Sequence, residues 1–247
     1  MDVLAGFTWL QIAVAAAATL GAAFIRGLTG FGFGILLVPI LALAITPVEA
    51  VLALNIMAGL LALSEIRYVL REAERSALTI GGLLLLTTLP GLLLLDALPA
   101  PLARLLIALV ALSAFVAILL PRRAATVPGP LTTGMVGLSA GVLTGFAAMP
   151  GPPVVPYYVG RDIPRTTAKA SMIGIFGVAA LAGVTSGAVS GLLEWRIVIL
   201  GLALFPLVVL GNWLGSLAFG KVGEKAWRVF VGLVLGAAAV AALVKLV

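Results

Sequence analysis

Apolar residues in this chain come in long unbroken runs, over residues 9–28, 33–45, 50–66, 77–95 and 101–120 and again over 131–146, 149–159, 168–187, 197–217 and 227–247. Short clusters of charge, Gly and Pro separate them. None of the runs alternates with a period of two over about ten residues, as the strand of a membrane barrel would. Helices are the remaining way to carry a backbone through hydrocarbon with every N–H and C=O satisfied. A bilayer core about 30 Å thick takes roughly 20 apolar residues per crossing, so the pattern predicts up to about ten helical segments and no extramembrane domain. Residues 1–27 carry only Asp2 ahead of the apolar run and no basic flank, and so read as a retained first span rather than a cleaved leader.

The runs fall into two sets that match segment for segment, residues 1–120 and 131–247, joined by a Pro-, Gly- and Arg-containing linker at 121–130. Leu28-Thr29-Gly30-Phe31 recurs as Leu143-Thr144-Gly145-Phe146, and Pro39 and Pro47 recur as Pro156 and Pro164. An internal duplication follows. With five crossings in each half, the second half is inverted. Of the fifteen Lys and Arg, eleven then lie in cytoplasmic loops and only Arg104, Arg196 and Lys245 outside, with Arg26 inside the first span. A rival with re-entrant second segments and parallel halves splits the same charges seven to seven, so the excess of basic residues expected on the cytoplasmic side favours inversion. The expected fold is all-α: a polytopic membrane protein of two inverted five-segment repeats, with short interrupted helices at the repeat interface, a cytoplasmic linker, and both termini outside an inner (plasma) membrane.

Composition narrows the chemistry. Hydrophobic residues make up 63% of the chain and charged ones 10%, too few to cover a water-facing surface. A net charge of +6 sits in loop clusters rather than along one face, which argues for membrane topology and against nucleic acid. With no Cys and no His, thiolate and imidazole chemistry and Cys/His zinc sites are excluded. No phosphate-binding Gly-x-x-x-x-Gly-Lys-Ser/Thr loop is present. Every Asp and Glu falls at a segment end or in a loop, so a proton relay lacks an obvious carrier, Glu49 being the nearest candidate.

The informative chemistry lies at two breaks in matching positions. The first reads Arg26-Gly27-Leu28-Thr29-Gly30-Phe31-Gly32-Phe33-Gly34, the second Thr144-Gly145-Phe146-Ala147-Ala148-Met149-Pro150-Gly151-Pro152-Pro153. Gly and Pro interrupt a helix, and a half-helix beginning after each break aims unpaired N–H groups, with about half a positive charge, toward the midplane. Two such tips make an anion site. Thr29 and Thr144 would add hydroxyls, Phe31 and Phe146 would wall the cavity, and Gly30, Gly32, Gly145, Met149 and Gly151 would shape it. The bland alternative is close helix packing through small residues, preferred for the sets Gly137, Gly141, Gly145 and Gly183, Gly187, Gly191. Arg26 either binds an oxyanion or snorkels to the cytoplasmic interface. Asn55 and Asn212 suit interhelical hydrogen bonds, with Asn55 carried forward as a weaker substrate contact, and Thr87 and Thr88 suit back-bonding to helix carbonyls.

At these motifs the chain resembles the TauE/SafE, or TSUP, family of sulfite-exporter-like membrane proteins. Arg26 to Gly34 with Pro39 resembles its first signature, and Gly151-Pro152-Pro153-Val154-Val155, preceded by Gly145 and followed by Pro164, its second. The second signature usually carries more glycine than Ala147-Ala148-Met149-Pro150 provides. The resemblance implies transport of sulfite, thiosulfate or organosulfonates, in either direction. Export is the economical direction, because an anion leaving a negative-inside cell gains roughly 2.3 kcal/mol per 100 mV. An anion channel, an importer and, less well, a membrane-embedded enzyme are the competing readings. The expected partners are a small anion and membrane lipid, with a homo-oligomer open; neither cofactor, metal nor nucleic acid is required.

Overall fold

The computed structural model describes residues 2–4, 6–29, 32–119, 128–159, 161–218 and 224–244, with the side chains of residues 2–4, 29, 117–119, 159 and 224–231 outside the description. A short hairpin comes first, β1 (Asp2–Leu4) against β2 (Phe7–Thr8), turning at Gly6. Helices follow: α1 (Trp9–Thr29), α2 (Phe33–Ala44), α3 (Pro47–Ser64), α4 (Ile66–Glu72), α5 (Arg75–Asp96), α6 (Ala100–Leu119), α7 (Pro130–Ala147), α8 (Gly151–Val159), α9 (Arg165–Val189), α10 (Trp195–Ala218) and α11 (Glu224–Val244). By length and composition α1, α3, α5, α7, α9 and α10 can each cross a membrane. Leu78, Leu86, Leu131 and Leu233 point outward and are at least 67% exposed, a surface that suits lipid rather than water. The chain is an all-α polytopic membrane protein.

Ten of these helices correspond to the ten expected segments. The addition is α4, a seven-residue helix after α3 with no counterpart among the described residues of the second half. Proline placement repeats between the halves: Pro47 opens α3 and Pro164 immediately precedes α9, while Pro39 lies inside α2 and Pro156 inside α8. Pro90 inside α5 and Pro206 inside α10 add a match that the motif comparison missed.

Helix packing crosses between the halves. A Cβ placed on Gly211 or Gly215 of α10 would strike the carbonyl oxygen of Leu20 or Phe24 of α1, so the two helices advance together, in parallel, almost backbone to backbone. On the other side Gly137, Gly141 and Gly145 of α7 sit against the carbonyls of Ile80, Leu84 and Thr88 of α5, again in parallel. Without a hydrophobic force between helices in lipid, such close approach through small residues is what holds them. By contrast α3 and α9 run antiparallel, with Ala62, Asn55 and Leu52 against Gly177, Gly183 and Gly187.

Two bundles result. One core is drawn mainly from α1, α2, α3, α6 and α10, the other from α5, α7, α8 and α9. The neighbours in one recur in the other: α1 packs on α2 and α10 as α7 packs on α8 and α5, and α3 packs on α2 and α10 as α9 packs on α8 and α5. Among the described residues the ion pairs between helices stay within a bundle: Glu49 with Arg196 and Arg26 with Glu65 in the first, Glu74 with Arg161 in the second. Arg161 also lies over the rings of Tyr157 and Tyr158, at 5.2 and 5.7 Å. The α3–α9 seam between bundles is lined by small residues, with a hydrogen bond from the Tyr68 hydroxyl on α4 to the Thr166 carbonyl at its rim.

Candidate functional site

The first break turns at Gly32, which has φ +92° and caps α2 from the left-handed region where only glycine is free of a Cβ penalty. No side chain caps α2, so its first-turn amides, Phe33, Gly34 and Ile35, keep the positive end of the helix unblocked. The second break ends α7 with Ala148 at φ +51°; its N–H donates to the Thr144 carbonyl and that of Met149 to the Leu143 carbonyl, a pattern usually built on glycine. This is where the chain departs from the glycine-rich form of its signature. An alanine held there costs about 1 kcal/mol or more. Ala148→Gly is therefore expected to raise thermal stability by about 1 kcal/mol, read by melting the purified protein in a fixed detergent.

The two breaks meet. A Cβ on Gly34 would lie 2.7 Å from the Ala148 carbonyl oxygen and 3.6 Å from Met149 Cγ. Between them lies a cavity of about 110 Å³, bordered by Gly32, Phe33 and Gly34 from one break and Met149, Pro150, Gly151 and Pro152 from the other. One buried water needs roughly 10–15 Å³ of such space, so the cavity has room for a small solute. The two tips do not contribute equally. Pro152 and Pro153 have no N–H, which leaves Gly151 as the sole amide donor among the first three residues of α8, against three in α2.

Asn55 is the unusual side chain here. It borders the cavity from the middle of α3, is 2% exposed, and its amide makes no hydrogen bond to a described residue. An unsatisfied buried amide costs about 1–3 kcal/mol, whichever way its O and N are turned. It fits where it does because Gly183 has no side chain: a Cβ there would be 2.2 Å from Asn55 Nδ2. Asn212, the other intramembrane asparagine, does make the interhelical bond expected of both, accepting from Arg26 Nη1 at 2.8 Å.

Arg26 has two partners at the cavity. Its guanidinium borders the cavity but turns Nη2 to Glu65 at 3.0 Å as well as Nη1 to Asn212. Glu65 does lie at the end of a segment, as the sequence places it, and from there it borders the cavity. At the far end of α3, Thr46 and Glu49 form a capping box and Glu49 pairs with Arg196. Arg104 and Gln11 there donate to the Ala42 and Ala44 carbonyls at the C-terminus of α2, at 2.5 and 2.9 Å.

Of the residues expected to form the site, Arg26, Gly32, Asn55, Met149 and Gly151 come together around this cavity. Thr144, Gly145 and Phe146 lie outside its lining. The Thr144 hydroxyl donates to the Ala140 carbonyl at 2.7 Å, as Thr88 does to Leu84, because a buried hydroxyl on a helix bonds back to the preceding turn. Thr87 instead bonds across to Leu138 of α7. Gly145 faces α5, the packing role its spacing suggested, and Phe146 is buried in the first core. The Thr29 side chain, Gly30 and Phe31 lie outside the described residues. Sequence reasoning missed Glu65 and the wall from α9, including Ile173 and Phe176.

No curated protein and no solved structure matches the chain. The family description "Sulfite exporter TauE/SafE" matches residues 15–242, nearly the whole length, and the chain therefore belongs to that family of exporter-type membrane anion transporters.

Proposed function

We propose that the chain exports a small sulfur oxyanion or organosulfonate across the inner membrane by alternating access, the anion being held between the tips of α2 and α8. The convergence of both breaks on one cavity carries this reading, because a half-helix tip in a low-dielectric interior favours negative charge. Asn55 supplies a donor that no described protein group uses.

The helix directions support inverted halves. Counterparts α3 and α9 run antiparallel, and the basic residues after α3 and before α9 share one end through the Gly174–Val69 and Tyr68–Thr166 contacts. That end is the cytoplasmic one if basic loops lie inside, which leaves both termini outside. Two bundles whose ion pairs are internal, meeting along a seam of small residues, suit a carrier that rocks about a fixed central site more than a static pore.

The remaining walls, among them Leu54, Leu61, Val155 and Phe176, are apolar. They favour an anion with a short apolar body over a bare inorganic ion. In a fixed lipid and detergent mixture, affinity should rise about four-fold per methylene from methane- to ethane- to propanesulfonate, at about 0.8 kcal/mol per buried methylene, until the cavity is full. Thermal shift against these, sulfite, sulfate, thiosulfate and carboxylates measures it. Flux in liposomes that saturates and shows counterflow fits the carrier; no shift with any anion sinks the reading.

A further inference from the structure

Arg26 and Glu65 are the only charged side chains bordering the cavity among the described residues, so the site as it stands is electroneutral. A site meant for an anion thus has its one guanidinium already engaged by a carboxylate. The contact is single rather than forked: Nη2 meets one Glu65 oxygen while Nη1 is turned to Asn212. That is the weaker way for an arginine to hold a carboxylate. Both side chains remain partly open, 17% exposed for Arg26 and 29% for Glu65. Glu65 is also the junction residue between α3 and α4, its backbone held by hydrogen bonds to Ala62, Tyr68 and Val69, so its carboxylate leaves Arg26 by rotation about the side chain's own bonds. The α1–α10 contact that places Arg26 is made by glycines and does not depend on the pair.

We propose that Glu65 is an internal competitor for the transported anion: it occupies Arg26 when the site is empty, is displaced when an oxyanion arrives, and returns to expel it. This deepens the anion-transport reading and rests on it. Glu65 follows Asn55 by ten residues, about 15 Å at 1.5 Å per residue, so the pair and Asn55 border different parts of the one cavity. The anion would take the guanidinium from Glu65 at the Arg26 end of the cavity and give it back on release.

The test uses the full-length chain in lipid nanodiscs with ethanesulfonate as probe. Glu65→Gln should bind about ten-fold tighter or more, the scale of a charge-assisted hydrogen bond, and turn over more slowly in liposomes. The gain should vanish when Arg26→Gln is added, because the freed guanidinium is its source. Equal or weaker binding by folded Glu65→Gln, or the same gain without Arg26, overturns the proposal while leaving anion transport standing. If Glu65→Gln does not fold, Glu65→Asp, which keeps the charge but shortens its reach, should bind tighter than the unaltered chain, and equal affinity overturns the proposal. If neither the unaltered chain nor a folded variant binds any sulfonate or sulfite, the transport reading fails and the competitor with it.

Discussion

Asn55→Leu should leave the empty protein at least as stable as before while weakening ethanesulfonate binding about ten-fold or more and lowering transport in step. Leu keeps the forked shape of Asn at a position that is 2% exposed, so the walls need little rearrangement. It removes an amide with no hydrogen-bond partner among the described residues, which relieves rather than adds a desolvation cost. What is lost is a donor to a charged ligand, a bond on the order of 1.5–3 kcal/mol. Core substitutions commonly destabilise, so a change that preserves the melting temperature and removes binding separates a ligand contact from a packing residue. Melting in the absence of anion and titration in its presence, on the same preparation, supply both numbers. Unchanged affinity would mean that the amide serves something other than the anion.

How much of this could be read from residues alone differs from one feature to the next. The two breaks were legible because Gly and Pro inside an apolar run have a physical consequence in a bilayer: freed backbone groups need a partner, and a cavity provides one. Asn55 was legible as a polar residue in an apolar helix, but its lack of a partner was not, since that depends on Gly183 of α9 leaving room beside it. Thr144 and Gly145 adjoin the second break in sequence, yet a helix turns 100° per residue and these two positions face inward to their own helix and to α5. The spacing of Gly137, Gly141 and Gly145 marks a packing face, but that its neighbour is α5 is set by the tertiary fold, which no local pattern encodes. Glu65 shows the same limit from the other side. An acid at the end of an apolar run looks alike whether it meets headgroups or a cavity, and only the turn between α3 and α4 directs it to an arginine 39 residues earlier.

Gly145→Ala and Gly151→Ala should part company sharply, although both glycines belong to the same short motif. At Gly145 the added methyl would lie 1.9 Å from the Thr88 carbonyl oxygen, 2.5 Å from the Leu92 nitrogen and 2.9 Å from the Gly91 carbonyl carbon. All three are backbone atoms of α5, which cannot rotate aside, so the helices must separate along the seam that Gly137 and Gly141 also close. Overpacking of this kind typically costs about 1–3 kcal/mol, and a backbone obstacle places Gly145→Ala at or beyond the upper figure. Expected is a large fall in melting temperature or loss of folded protein, with anion binding falling only as the folded fraction falls. At Gly151 a methyl would meet Val155 Cγ2 at 3.9 Å and Phe176 Cζ at 4.0 Å, ordinary contacts. Gly151→Ala should therefore fold normally, and any change in anion affinity then reports crowding at the tip of α8. Melting curves and binding isotherms for the two variants, taken side by side, decide it: a stable, fully binding Gly145→Ala protein would show that α5 and α7 do not approach as closely as their glycines require.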